Sequence, residues 1–179
     1  TYTGPTTISA GTLTIDDGSI ATSSGITNNA ALIYNLNATA RTYANVISGT
    51  DTLTTSGTNT LTLTGVNTYS GTTTISSGTL QIGAGAAGQL GTGDTTNNAA
   101  LVINRTGTLT IASDISGTGT LGHIGAGTTS LTGTNTYSGT TTISAGILSV
   151  GAGATAGTLG SGGVVNNATL QINRSDDIT

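Results

Sequence analysis

Few side chains in this sequence can carry acid–base, nucleophilic or metal chemistry: one His, seven Asp and three Arg, with no Glu, Lys or Cys. The lone His123 sits in Gly122-His123-Ile124-Gly125, and nothing at a meaningful spacing supplies the partners of a triad or a metal site. It is expected at an exposed position or a corner, without a chemical role. Asp16-Asp17 and Asp176-Asp177 are adjacent pairs near the ends, and Asp51 and Asp114 are isolated. Glycoside chemistry needs two carboxyls about 5 to 10 Å apart. It also needs groups that hold sugar, and a chain without Trp, Phe, Glu or Lys furnishes a carbohydrate cleft poorly. These aspartates are therefore expected to form turns. Gly91-Thr92-Gly93-Asp94 is similar to a calcium-binding nonapeptide, but that motif must recur every nine residues and here occurs once, so a plain turn is expected. The reading is that no catalytic, cofactor-binding or metal-ligating residue is present, and that the chain is not an enzyme.

Other candidates recur. Tyr2, Tyr69 and Tyr137 each stand near a Gly, about three rungs or about 14 Å apart in a stacked β-structure, too far to stack on one another. Packing at a corner with the hydroxyl at the surface is expected. Arg105 and Arg174 each follow Ile-Asn, and should be solvated or bonded to carbonyls. The Asn pairs at 28–29, 97–98 and 166–167 suit turns, and their amides could also bond backbone at a corner. Thr72/Thr74, Thr108/Thr110 and Thr140/Thr142 would space hydroxyls by about 6.8 Å along a strand and about 4.8 Å between rungs, the lattice an ice-binding solenoid uses. Thr79-Leu80-Gln81 and Val102 interrupt that regularity, which makes ice binding a remote alternative.

Those residues must be positioned by β-structure. The chain has 179 residues, 29 of them Gly, a single Pro and only 6% charged residues; its abundant Thr favours strands over helices. A net charge of −4 without a basic cluster excludes nucleic acid as a partner. Without Cys there is no disulfide, thiolate metal site or cysteine nucleophile. No apolar run reaches the length of a membrane-spanning helix, so no membrane insertion by this segment is expected. The sequence opens on Thr1 without a signal peptide and shows no capping repeat at either end, which suits a stretch of a longer chain.

Self-similarity organises the whole. Thr68-Tyr69-Ser70-Gly71-Thr72-Thr73-Thr74-Ile75-Ser76 returns 68 residues later as Thr136-Tyr137-Ser138-Gly139-Thr140-Thr141-Thr142-Ile143-Ser144, and Thr1-Tyr2-Thr3-Gly4 opens the chain on the same beat. Units of approximately 1–67, 68–135 and 136–179, the last partial, form one solenoid segment. Within the central unit, short strands are predicted at 72–76, 79–83, 99–104, 108–112 and 119–124, with a further one at 128–132, separated by Gly, Asn, Ser or Asp. The predicted fold is all-β, a right-handed parallel β-helix with about three rungs of about 22 residues per repeat and about eight rungs in all. Leu101-Val102-Ile103 aligns with Leu170-Gln171-Ile172, so the Leu/Ile side of that strand is the core. The same parity turns Ile75, Leu80, Ile82, Leu109, Ile111, Ile143, Leu148 and Val150 inward.

The runs Leu61-Thr62-Leu63-Thr64-Gly65-Val66-Asn67-Thr68-Tyr69-Ser70-Gly71 and Leu131-Thr132-Gly133-Thr134-Asn135-Thr136-Tyr137-Ser138-Gly139 resemble the autotransporter-associated β-strand repeat of bacterial type V secreted passenger domains. The resemblance implies a parallel β-helix exported to the cell surface or released, with a structural or adhesive role and no catalytic residues in the motif. The expected function is an extracellular rod. The alternative is a self-assembling fibre or matrix component joined end to end or laterally, and a polysaccharide-active enzyme on the same scaffold is remote. The sequence names no surface ligand.

Overall fold

The computed structural model describes residues 2–18, 20 and 22–176. Thr alternating with Leu or Ile gives each short segment one apolar edge and one hydroxylated edge, a pattern that suits strands packed on one side only. Among the described residues there are twenty strands and no helix. The first eight are β1 (Thr6–Ile8), β2 (Thr12–Asp16), β3 (Ile26–Asn28), β4 (Ala31–Leu36), β5 (Arg41–Tyr43), β6 (Ile47–Ser48), β7 (Leu53–Gly57) and β8 (Thr60–Leu63). The next eight are β9 (Thr73–Ile75), β10 (Thr79–Gly85), β11 (Thr95–Asn97), β12 (Ala100–Arg105), β13 (Thr108–Ile111), β14 (Ile115–Ser116), β15 (Thr120–His123) and β16 (Thr128–Leu131). The remainder are β17 (Thr141–Ile143), β18 (Ile147–Val150), β19 (Val164–Asn166) and β20 (Thr169–Ile172).

All the strand pairings are parallel. Paired residues are 19 apart in sequence at Thr12 and Ala31 and 23 apart at Thr141 and Val164. One turn of chain therefore makes one rung, and the molecule is a β-solenoid of about eight turns, as the sequence predicts.

The core is a set of columns running along the axis. Leu61, Leu80, Leu101 and Leu121 lie in register on successive rungs, and beside them run Leu63, Ile82, Ile103, His123 and Ile143. All eight side chains expected to turn inward are buried. Each contributes about 1.5 to 3 kcal/mol relative to an exposed position. Leu170 is partly buried and Ile172 is 53% exposed although both share the inward parity, because β20 pairs only with β18 and nothing among the described residues lies over it.

Three faces enclose these columns. The three-stranded sheet β1-β3-β6 is followed along the chain by the six-stranded sheet β14-β11-β9-β7-β4-β2 and then by the seven-stranded sheet β19-β17-β15-β12-β10-β8-β5. Further along, the four-stranded sheet β13-β16-β18-β20 takes the place in the cycle that the three-stranded sheet held. The first face thus carries two separate sheets. Between them the chain crosses that face without a strand, at 64–72 and 86–94, joined by the bridge of Val66 to Gln89 and by further hydrogen bonds such as that of the Thr92 amide to the Tyr69 carbonyl.

The repeat precesses around this frame. Thr6–Ile8, Thr73–Ile75 and Thr141–Ile143 are equivalent in sequence, yet they lie in the three-, six- and seven-stranded sheets respectively. Each of β1 to β8 has its counterpart eight strands later in the next sheet around. A repeat is therefore three turns plus one face, a screw of one third of a revolution with a rise of about 16 Å at about 4.8 Å per rung. The strandless crossings obey the same rule: after the pair on the first face, the equivalent pair, 132–140 and 151–163, crosses the face of the six-stranded sheet.

Candidate functional site

The strandless crossings hold the most specific side-chain chemistry in the molecule. In the first of each pair, an Asn immediately precedes Thr-Tyr-Ser-Gly, and its amide points into the rod. Fully buried Asn67 accepts from the Ile47 amide through Oδ1 at 2.8 Å and donates through Nδ2 to the Gln89 carbonyl at 2.7 Å. It so bonds one rung before it and one after. Asn135 repeats the arrangement, accepting from Ile115 at 2.9 Å and donating to the Thr158 carbonyl at 2.6 Å. Sequence reasoning passed over both residues. The signal was present in the identical Asn-Thr-Tyr-Ser-Gly of the two copies.

Two positions later, Tyr69 and Tyr137 are fully buried, with hydroxyls 2.7 Å from Thr73 Oγ1 and Thr141 Oγ1. The expectation of a hydroxyl at the surface is corrected: the crossing turns the phenol into the lumen, where an inward Thr of the next strand partners it. Burial pushes both phenols above the usual tyrosine range, and the threonine bonds oppose that shift. A glycine on the following rung makes room for each ring. A Cβ at Gly91 would stand 2.3 Å from the Tyr69 carbonyl oxygen and 2.6 Å from its ring, and one at Gly160 would meet Tyr137 in the same way. Tyr2 differs: it is 53% exposed and donates to the Pro5 carbonyl.

Three of the carboxylates, Asp17, Asp94 and Asp114, bond backbone amides of a neighbouring rung. Asp17 Oδ1 accepts from the amides of Asn37, Ala38 and Thr39 at 2.8, 2.8 and 3.3 Å. The Ala38 amide foremost, and those of Thr39 and Asn37 with it, hold its carboxyl below the usual range against some desolvation. Asp94 accepts from the Asp114 amide at 3.0 Å, and Asp114 from the Thr134 amide at 2.6 Å, which makes Gly91-Thr92-Gly93-Asp94 part of a ladder up one edge. Asp16 accepts from Asn35 Nδ2 at 2.6 Å, and Asp51 closes a local turn on the Thr52 amide at 2.7 Å. Asp176 forms an ion pair with Arg174 at 2.7 Å, while Asp177 lies outside the described residues.

The arginines clasp loops. Arg105 donates to the carbonyls of Gly88 and Ala86 at 2.8 and 3.2 Å, Arg174 to that of Gly157 at 2.6 Å, and Arg41 to those of Gly18 and Asp17. The first Asn of each pair does more than turn the chain. Asn28 donates to the carbonyls of Asp51 and Thr52, and Asn97 to that of Thr120 at 2.9 Å, both from buried positions; Asn166, on the last described rung, is exposed.

His123 is buried, contrary to its expected exposure. It takes the inward position of β15 in register between Ile103 and Ile143, with Nδ1 2.8 Å from the Ala145 carbonyl and Nε2 3.1 Å from Thr129 Oγ1. Among the described residues, no three His or Asp side chains are gathered as metal ligands would be. The Thr pairs scatter: Thr72/Thr74 flank or lie in β9, Thr108/Thr110 lie in β13 and Thr140/Thr142 flank or lie in β17, strands of three different sheets. Precession disperses what an ice lattice would need on one plane.

What the fold defines is a parallel β-solenoid whose polar side chains tie rung to rung, built from a repeat that tolerates rotation about its axis. Residues 1–15, 53–82 and 124–150 match the passenger-associated-transport-repeat family. The chain is also 42% identical, over an alignment of 142 positions that covers 67% of it, to the adhesin BmaC autotransporter of Brucella suis biovar 1 (strain 1330). It spans 4% of that protein's length. No solved structure matches the chain.

Proposed function

We propose that the chain is a stretch of extracellular rod, secreted or displayed on a bacterial surface, that serves a structural and adhesive role and performs no catalysis. The observation that carries this reading is the placement of the polar groups. The buried side chains of Asn67, Asn135, Tyr69, Tyr137 and His123 and the carboxylates of Asp17, Asp51, Asp94 and Asp114 bond the backbone or hydroxyls of their own or neighbouring rungs. Such an arrangement stiffens a solenoid and leaves its long lateral surface as the part that meets other molecules. The passenger repeat and the likeness to a protein named an adhesin support export and adhesion.

Beads coated with the chain, applied to cultured cells and to matrix-coated plates, test the proposal. Retention above that of beads carrying an unrelated β-solenoid is expected, and equal retention on every surface would count against adhesion. Turnover of a polysaccharide panel would contradict the non-catalytic reading.

A further inference from the structure

The face crossed by 64–72 and 86–94 contains an open cleft. It measures about 150 Å³ and lies where the second crossing meets β13, with Leu90, Leu109 and Ile111 as apolar floor and Gln89, Thr92 and Ser113 at the rim. Backbone hydrogen bonds close it on both sides, from the Thr106 amide to the Gly85 carbonyl at 3.0 Å and from the Thr95 amide to the Asp114 carbonyl at 2.9 Å. Between those two bonds, β13 pairs only with β16, so its other edge faces the cleft unpaired.

The preceding repeat shows how the same place looks when filled. Leu109, Ile111 and Ser113 stand where that repeat has Arg41, Tyr43 and Asn45. There the Tyr43 ring is buried, its hydroxyl reaches the Ser23 carbonyl at 3.5 Å, Asn45 Nδ2 donates to the same carbonyl at 2.7 Å, and Arg41 Nε donates to the Gly18 carbonyl at 3.0 Å. Three side chains thus satisfy the carbonyls across the gap. Their shorter counterparts reach none, and the open cleft they leave, with its aliphatic floor and polar rim, has the volume of about one benzene ring.

We propose that the cleft is a binding site for an aromatic side chain, a tyrosine-like phenol, that a partner polypeptide inserts from outside the rod. The unpaired edge of β13 supplies amides and carbonyls for its hydroxyl, and the apolar floor supplies the pocket for its ring. The proposal deepens the adhesive reading and rests on it for the partner's being another protein; ring binding itself stands apart from that reading.

The test titrates p-cresol into the chain labelled at Leu and Ile methyls and follows the NMR shifts. Saturable shifts of the Leu90, Leu109 and Ile111 methyls with a midpoint of about 1 mM are expected. Grafting the preceding repeat's residues, Leu109→Arg, Ile111→Tyr and Ser113→Asn, should raise that midpoint at least about tenfold. Should the graft not fold, Leu90→Phe, which places a ring in the cleft, must produce the same loss. Absence of saturable shifts in the unmodified chain, or an unchanged midpoint in a folded cleft-filling variant, overturns the proposal. Adhesion of beads without cresol binding would sink the cleft and leave the adhesive role standing. Cresol binding by a chain that adheres to nothing would do the reverse.

Discussion

Replacing Asn67 by Ala removes a fully buried amide that bonds one rung on either side, and its cost follows from the partners left behind. The Ile47 amide and the Gln89 carbonyl each lose their bond to the Asn67 side chain. Leaving a buried polar group unsatisfied costs about 1 to 3 kcal/mol, so the pair amounts to about 4 kcal/mol. Stability in a solenoid is a sum over neighbouring rungs, so the loss should be local before it is global. Hydrogen exchange is the suitable assay, because about 4 kcal/mol corresponds to about a thousandfold loss of protection at the Ile47 amide. Amides of the rungs near Ile143 should keep theirs. Asn67→Asp should cost more at neutral pH, since the acceptor for Ile47 survives while a carboxylate is turned toward the Gln89 carbonyl. A loss of under about 1 kcal/mol in Asn67→Ala, with Ile47 protection unchanged, would show that the rungs are not held by this residue.

Gly91→Ala should lower the melting temperature clearly, by about 1 to 3 kcal/mol of strain, because its Cβ would meet backbone and ring of Tyr69, whereas Gly107→Ala, whose nearest neighbour is 3.8 Å away, should be close to neutral. Asp17 has its carboxyl held low in the folded chain, so its stabilisation is present above the ordinary Asp range and lost as pH falls through the folded value; acid titration of Asp17→Asn should lack that portion of the decline. Chelators should leave thermal unfolding unchanged, and a shift of several degrees would reveal a metal in the fold. The isolated chain should associate as concentration rises, since its last described rung exposes Val164, Val165 and Ile172; sedimentation of a strict monomer at high micromolar concentration would show those edges to be harmless.

The solenoid and its aliphatic columns were legible because period-two alternation and a 68-residue beat are both written in side-chain types. Strands β10, β12, β13, β15 and β16 fell where the alternation placed them. The strands Thr95–Asn97 and Ile115–Ser116 were not foreseen. The first turns Thr95 and Asn97 inward, polar residues that alternation assigns to the surface or to a turn, and the second is too short to show a period. His123 and Asn67 were placed outside or overlooked for a related reason: each is satisfied by a partner from another rung, about twenty residues away in sequence, which composition does not reveal, while Tyr69 is turned inward by a strandless crossing that alternation does not register and bonds Thr73 four residues on. Precession was hidden because it rests on the ratio of repeat length to rung length, and rung length is known only once strands are paired.

That ratio couples length to azimuth. Adding or deleting one repeat lengthens or shortens the rod by about 16 Å and also swings everything beyond it by about a third of a revolution, so only changes in multiples of three preserve the heading of the distal end. A feature borne once per repeat, such as the tyrosine crossing, traces a shallow spiral staircase around the axis. A partner approaching from any compass direction meets the same feature within about three repeats, and copy-number variation in such a chain re-aims its tip as surely as it alters its reach.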